Sequence, residues 1–364
     1  MPVKRKGGEG GELGRIRWLR ALEDARASRT FPLSIGDDAA IWAPPRGLSV
    51  VLTVDAQVEG SHFRREWLSL EKIGERAVTS SVSDLAAMAA RPVAILVSLV
   101  LEPGMRDAEF RRLYAGIHRA AQSYRTRILG GNLSAGPLSI TVTAVGQGRS
   151  SALIRRSGAS VGDEIWVTGQ PGLARLGLRA LELGRAGRKR LRLPRLEREW
   201  LDRAIQAFES PRARLREALA ISKELRPTSM IDLSDGLSSD LRHILGESAQ
   251  RTRRALGAEL LEASLQGAHG FHELATTLGE SGVETALRGG EDYELCFTTR
   301  PGSRVAQAAS RLERKLGLEL TRIGRVVSRA GVKLVGLDGS RRTVKDRGWE
   351  HFRPSSETSK RRSR

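Results

Sequence analysis

The stretch Met230 to Leu241, MIDLSDGLSSDL, sets three aspartates, Asp232, Asp235 and Asp240, among apolar residues beside a glycine. Side chains alternate along an extended chain, so MIDLS puts Asp232 and Ser234 on one face. Asp235-Gly236 then turns the chain, and Leu237, Leu241, Ile244 and Leu245 recur at helical spacing, with Gly246 as a stop. Carboxylates crowded at one strand-to-helix junction repel and raise each other's pKa unless a cation neutralises them. All-oxygen ligands of this kind suit Mg2+, which keeps waters and bridges to substrate phosphates. The plainer alternative is a turn with an Asp N-cap.

The pattern repeats along the chain. SIGDDAAIW carries Asp37 and Asp38 between a glycine and an apolar run, and the strand Leu48 to Val54 (LSVVLTV) ends in Asp55. A turn with Glu59, Gly60 and His62 follows. In a helix starting near Leu70, Asp84 lies between Val82 and Leu85, where an unpaired carboxylate is costly and a ligand is expected. Pro92 separates this helix from the apolar strand Val93 to Leu101, and residues 105–124 read as an amphipathic helix. Next comes a strand, a Gly130-Gly131-Asn132 loop and a second strand; paired glycines let backbone N–H groups approach a phosphate. Residues 251–288 read as helices and loops, and GGEDYELCFTT forms a fourth acidic junction with Glu291, Asp292 and Glu294.

A chain of 364 residues has room for two domains. The small-residue, basic connection SSALIRRSGA sets the boundary, giving an N-terminal domain 1–150, a C-terminal domain 151–353 and a basic tail 354–364. Abundant glycine, 4% aromatics and 40% hydrophobic residues fit a soluble α/β protein. No apolar run is long enough to cross a bilayer and the first residues lack a signal-peptide core, so the expected location is cytoplasmic. The single cysteine, Cys296, excludes an internal disulfide and a cysteine-based zinc cluster. The net charge of +19 is concentrated in Arg185 to Arg203 and near both ends, and reads first as solvated surface. With few aromatics there is little on which single-stranded bases could stack. The chain has neither a GxxxxGK[ST] loop nor a kinase HRD or DFG set, which points to phosphate chemistry run mainly by metals.

The blocks IGDDAAI, VDAQVEGSHF, VSDLAAMAARP, GGNLSAGPLSITV, RSGASVGDEIWVTGQPG, IDLSDGLSSDL, GGEDYEL and GWEHF occur in that order from Ile35 to Phe352. In this the chain resembles the thiamine-monophosphate kinases of the AIR synthetase-like superfamily. The resemblance implies an α/β (α+β) fold of two domains, the N-terminal one forming a shared β-barrel in a homodimer. It also implies ATP and Mg2+ in a cleft between domains, and direct transfer of a phosphoryl group from ATP to thiamine phosphate, giving thiamine diphosphate and ADP. No side chain is needed as a general base, because the acceptor phosphate oxygen is already ionised.

By the same resemblance, Asp38, Thr53, Asp55, Asp84, Asp232 and Asp235 are expected metal ligands, with Asn132 at a further metal position. Gly131, Ser234 and Arg156 are expected to contact ATP, and His62, Glu291 and Trp349 to hold the thiamine phosphate. The departure is Asn132: the family's loop reads Gly-Gly-Asp there, and an amide ligates Mg2+ without neutralising it. Competing readings are another superfamily enzyme (AIR synthetase, selenophosphate synthetase or the hydrogenase-maturation carbamoyl dehydratase) and a basic nucleic-acid-binding protein that has lost catalysis. Selenophosphate synthetases normally carry a reactive Cys or selenocysteine near the N-terminus, which this chain lacks.

Overall fold

The structure, a computed structural model, describes residues 12–23, 28–32 and 39–345. Strands β1 (Ser49–Val58), β2 (Arg91–Leu101), β3 (Arg127–Ala135) and β4 (Ser139–Gly148) form one sheet in the order β1-β4-β2-β3. Only β2 and β3 run parallel. Alternation along β1 divides its side chains: Val50, Leu52, Val54, Ala56 and Val58 are exposed, whereas Val51, Thr53, Asp55 and Gln57 turn toward covering helices. Those helices are Leu70–Ala87, capped by the Ser69 hydroxyl, and Asp107–Ser123. Between them and the sheet lie Ile73, Val82, Leu85, Leu113, Ile117, Ile95 and Ile140, all essentially inaccessible to water.

A second sheet takes the order β11-β10-β7-β9-β5-β8-β6. Its strands are β5 (Glu164–Thr168), β6 (Ser229–Asp232), β7 (Gly257–Leu261), β8 (Leu295–Thr299), β9 (Leu320–Val327), β10 (Gly331–Val335) and β11 (Arg341–Thr343). All neighbours are antiparallel except β10 and β7. Side chains of either parity are buried on β5, β8 and β6, whereas β7, β9, β10 and β11 keep one polar face with Glu259, Arg325, Lys333 and Arg341. Ile165 and Val167 meet Leu237, Leu241 and Ile244 of the helix Leu237–Thr252, and Trp166 and Phe297 meet Ile221 of Leu215–Leu225 and Leu312 of Ser303–Leu316. Cys296, on β8, is a fully buried free thiol.

The helix Leu70–Ala87 is buried on nearly every side because it lies between the two sheets: fourteen of its eighteen residues are buried, Arg76, Thr79, Ser80, Ser81 and Ser83 among them. One flank joins the core of the first sheet, while Ala86 joins the core that holds Met230 and Phe297 of the second. No described helix is long and apolar enough to cross a membrane.

Several expectations change. Gly130-Gly131-Asn132 is part of β3, not a loop, and a Cβ on Gly131 would lie 1.8 Å from the Val97 carbonyl oxygen. That glycine is required by the close approach of β2. Pro92 does not separate helix from strand: it lies inside β2, beside an irregularity in the pairing with β4. The helix from Leu237 runs through Gly246 to Thr252; Gly246 faces open space, and a helical glycine costs only about 1 kcal/mol. The region read as helices and loops also contains β7, held by pairing with β9 and β10.

The two helices over the first sheet approach closely at glycines. A Cβ on Gly116 would lie 1.9 Å from the Glu71 carbonyl oxygen, and one on Gly74 would lie 2.3 Å from that of Leu113. Gly116→Ala is therefore expected to push the helices apart and cost roughly 1–3 kcal/mol, read as a lower urea midpoint with unchanged slope.

Candidate active site

The acidic residues meet where the helix Leu70–Ala87 passes between β1 and β6. On β1, the Thr53 hydroxyl donates to the Asp84 carboxylate, and Asp55 lies beside Ser81, whose hydroxyl donates to the Val142 carbonyl at 2.9 Å. One turn of helix separates Ser81 from Asp84, so both look toward the same stretch of strand. From the other sheet, Asp232 ends β6 and accepts a hydrogen bond from Ser83 at 2.7 Å. The expected liganding of Asp84 is thus met in this structure by a hydroxyl.

The electrostatics are those of an under-neutralised acidic cluster. Burial, then the charge of Asp84, pushes the Asp55 carboxyl up to about 6. Asp232, fully enclosed, is raised to about 7 by burial and then by Asp84. Asp240 serves the local fold instead. It accepts from the backbone N–H groups of Asp235 and Gly236 at 3.2 and 3.1 Å, holding the turn into the following helix. Burial raises its carboxyl well above the usual range, reinforced by Asp232 and Asp235. The donors are all oxygen, from Thr53, Asp55, Asp84 and Asp232, a set that matches a hard divalent cation. Among the described residues, no three His, Cys, Asp or Glu side chains already form a metal-holding group.

Beside the cluster lies a cleft of about 350 Å³ lined by Thr53, Asp84, Met88, Arg155, Arg156 and Glu247. Arg156 is exposed at its wall, and its charge partly offsets the rise at Asp232. The loop bearing Ser234 is bridged by its backbone to the loop bearing Glu291: the Glu291 N–H donates to the Ser234 carbonyl at 2.8 Å, and that of Tyr293 to Leu233 at 2.9 Å. Glu291 adopts a left-handed φ of 65°. Its carboxylate accepts from Arg76 at 2.7 Å. Arg76 is 1% exposed, also donates to the Phe208 carbonyl and lies 4.5 Å from the centre of the Phe208 ring.

The fourth acidic junction therefore splits into three roles. Only Glu291 faces this region. Asp292 accepts from the N–H groups of Gly172 and Ala174 at 2.6 and 2.9 Å, capping the helix Leu173–Glu182. Glu294 is enclosed by Thr168 and Arg214. Sequence reasoning misses Arg76, for which a lone Arg inside the helical run KIGERAVTSSVSD is the available signal, and the pairing of Ser83 with Asp232.

Of the other expected positions, His62 accepts from the Val58 N–H at 3.1 Å in the turn after β1. Asn132 is not brought to the carboxylates. It pairs through Ser98 and Thr141 with Ala56, so it shares the exposed sheet face and the strand farthest from β1, whereas Asp55 turns inward. Gly131 lies beside it on that edge. Asp38 and Trp349 lie outside the described residues.

Comparison with known proteins fits this arrangement. The family model described as AIR synthase related protein, N-terminal domain, matches residues 36–148. The thiamine-monophosphate kinase of Synechococcus elongatus is 34% identical over 330 residues, spanning 87% of this chain and 91% of that one. The chain belongs to the thiamine-monophosphate kinase family. Among solved structures, the thiamine-monophosphate kinase of Stenotrophomonas maltophilia superposes with a TM-score of 0.73 at 32% identity, covering 91% of this chain and 96% of that one. AaThiL complexed with AMPPCP and TMP superposes with a TM-score of 0.69 at 29% identity, covering 97% and 100% of the two chains. The mixed α/β, two-domain AIR synthase-like fold is thus shared with members of this family.

Because Asp55 and Asp232 titrate above an unfolded aspartate, the folded protein holds protons there that the unfolded chain has lost. Their contribution to stability is present below about pH 4, near the unfolded aspartate pKa, and is lost as pH rises through about 6 to 7. The metal-free protein is expected to melt at a lower temperature at about pH 8 than at about pH 5.5. Mg2+ should raise the melting temperature more at the higher pH, where the cluster is ionised; equal Mg2+ effects at both pH values would contradict this.

Proposed function

We propose that this protein catalyses Mg2+-dependent transfer of the ATP γ-phosphoryl group to thiamine phosphate, giving thiamine diphosphate and ADP. The observation that carries this reading is the cluster of Thr53, Asp55, Asp84 and Asp232 between two sheets, in a chain of this family. AaThiL, which superposes over nearly its full length, is complexed with an ATP analogue and TMP.

Asp55, Asp84, Asp232 and Asp235, with Thr53, are the residues that would hold Mg2+, and Asp38 is assigned with them on sequence alone. Mg2+ is usually bound through one or two carboxylates plus substrate phosphates, not by an all-protein cage, which suits carboxylates that have not converged. When bound, it would offset the charge of two phosphate groups and allow them to approach. The chain's own residues orient the reactants. Arg156 supplies a positive charge at the cleft wall for the nucleotide, and Ser234 is assigned a phosphate contact; Gly131, on the far edge strand beside Asn132, is assigned one only at a site shared with a partner subunit. Glu291, steadied by Arg76, and His62 are assigned to the thiamine phosphate, with Trp349 assigned to stack on its ring system. Holding both phosphates in line supplies the larger part of such catalysis, since the transferring group needs little covalent assistance.

On the same reading the working form is a homodimer whose N-terminal sheets close into one barrel. The open apolar face of Val50, Leu52, Val54, Ala56, Val58 and Leu96 supports this, as do the outer edges of β1 and β3, which pair with no further named strand among the described residues. A closed barrel would also give Asn132, remote from its own chain's cluster, a site at the shared interface. The boundary between the two domains is placed near residue 150, with the C-terminal unit reaching 353, and the protein is assigned to the cytoplasm.

Purified protein with ATP, Mg2+ and thiamine phosphate is expected to form thiamine diphosphate, with none from free thiamine; no product at any Mg2+ concentration would overturn the assignment. Restoring the carboxylate with Asn132→Asp should lower the Mg2+ concentration for half-maximal rate several-fold, roughly the effect of adding one favourable charge to a metal site. Identical Mg2+ curves would remove Asn132 from the metal set.

A further inference from the structure

A second, larger hollow of about 600 Å³ lies outside the acidic cleft, where the helix Gly184–Arg190 leads into the helix Arg195–Glu209. Four cationic side chains line it, Arg188, Lys189, Arg192 and Arg198, against one acid, Asp202. Two of the cations are fixed by the backbone. Arg188 donates to the Ala180 carbonyl at 3.0 Å and Arg198 to that of Leu193 at 2.8 Å. Each guanidinium has five N–H donors, so most of them stay available.

What distinguishes this cluster is four cations around one concavity with a single acid, whereas several exposed arginines elsewhere pair with acids: Arg322 with Glu164, Arg325 and Arg341 with Glu259, and Arg342 with Glu284. Lys189 and Arg192, both exposed, have no ion pair or hydrogen bond among the described residues. Four like charges around one concavity repel, and an anion in that concavity relieves the repulsion. Leucines 191, 193 and 201 also line the hollow. Apolar walls reduce local screening and strengthen the attraction.

We propose that this hollow is a binding site for a compact oligophosphate anion, recognised through its phosphate groups. Its volume falls in the range of small-ligand sites, roughly 300–1,000 Å³. No aromatic side chain lines it, so a nucleobase would find no stacking platform, and recognition rests on charge-assisted hydrogen bonds from guanidinium and ammonium groups. The site is independent of the reaction assigned to the acidic cleft.

Calorimetry of the full chain with tripolyphosphate, with EDTA present so that the acidic cleft cannot bind phosphate through a metal, tests this directly. One tripolyphosphate per chain is expected, with affinity that falls as salt is raised. Lys189→Gln combined with Arg192→Gln, both exposed and leaving the melting temperature unchanged, should weaken binding about tenfold or more. Absence of binding, binding indifferent to the double substitution, or binding of a single-stranded oligonucleotide but not of tripolyphosphate would each overturn the proposal.

Discussion

The helix Leu70–Ala87 is the constraint on which the site depends. A helix buried on almost every side cannot turn or slide without opening cavities in two cores, and such cavities cost several kcal/mol each. Its register is therefore fixed, and so are the polar residues it carries inward. Ser81 meets Asp55 on one sheet, Ser83 meets Asp232 on the other, and Asp84 sits between them. At the other end of the helix, Arg76 ties the Phe208 carbonyl to Glu291. One rigid element thus holds together groups drawn from residues 53 to 291.

That rigidity has an electrostatic cost, concentrated where chemistry is proposed. Three carboxylates are brought close with hydroxyls, not cations, as their immediate partners, and two of them are raised toward neutrality as a result. The remaining buried acids are treated differently. Asp292 is given two backbone N–H groups and Glu294 an arginine, so those carboxyls serve the fold, even though burial pushes Asp292 up to about 8. Position, not the shift alone, separates the candidate metal set from these structural carboxyls: Asp84 lines the cleft, with Asp55 and Asp232 beside it, where a cation can reach them.

Much of this was legible in the sequence. The turn at Asp235-Gly236 and the helix after it follow from a short apolar strand, a glycine and a helical period of apolar residues, and the strand through Thr53 and Asp55 follows from its β-branched run. The position of Asp84 within an apolar helix pattern was legible too, although the residue is only half-buried and lines the cleft. What could not be read were pairings between residues far apart in the chain: Ser83 with Asp232, Arg76 with Glu291, and Asp292 with a helix more than a hundred residues earlier. Local pattern also misplaced Gly131, whose requirement comes from the neighbouring strand, and gave no sign that Asn132 faces away from Asp55. Face and edge are properties of the sheet register, which local pattern alone did not reveal here.

The central claim is that the acidic cluster binds nucleotide only through divalent cations, with Asp84 at its centre. Binding of AMPPCP measured by calorimetry with and without Mg2+, for the wild type and for Asp84→Asn, tests it most directly. The account predicts Mg2+-dependent binding in the wild type and a loss of at least about tenfold in Asp84→Asn, because one charged ligand is gone while the fold's hydrogen bond from Thr53 can persist. Equal AMPPCP affinity without Mg2+, or an unaffected Asp84→Asn protein, would contradict it.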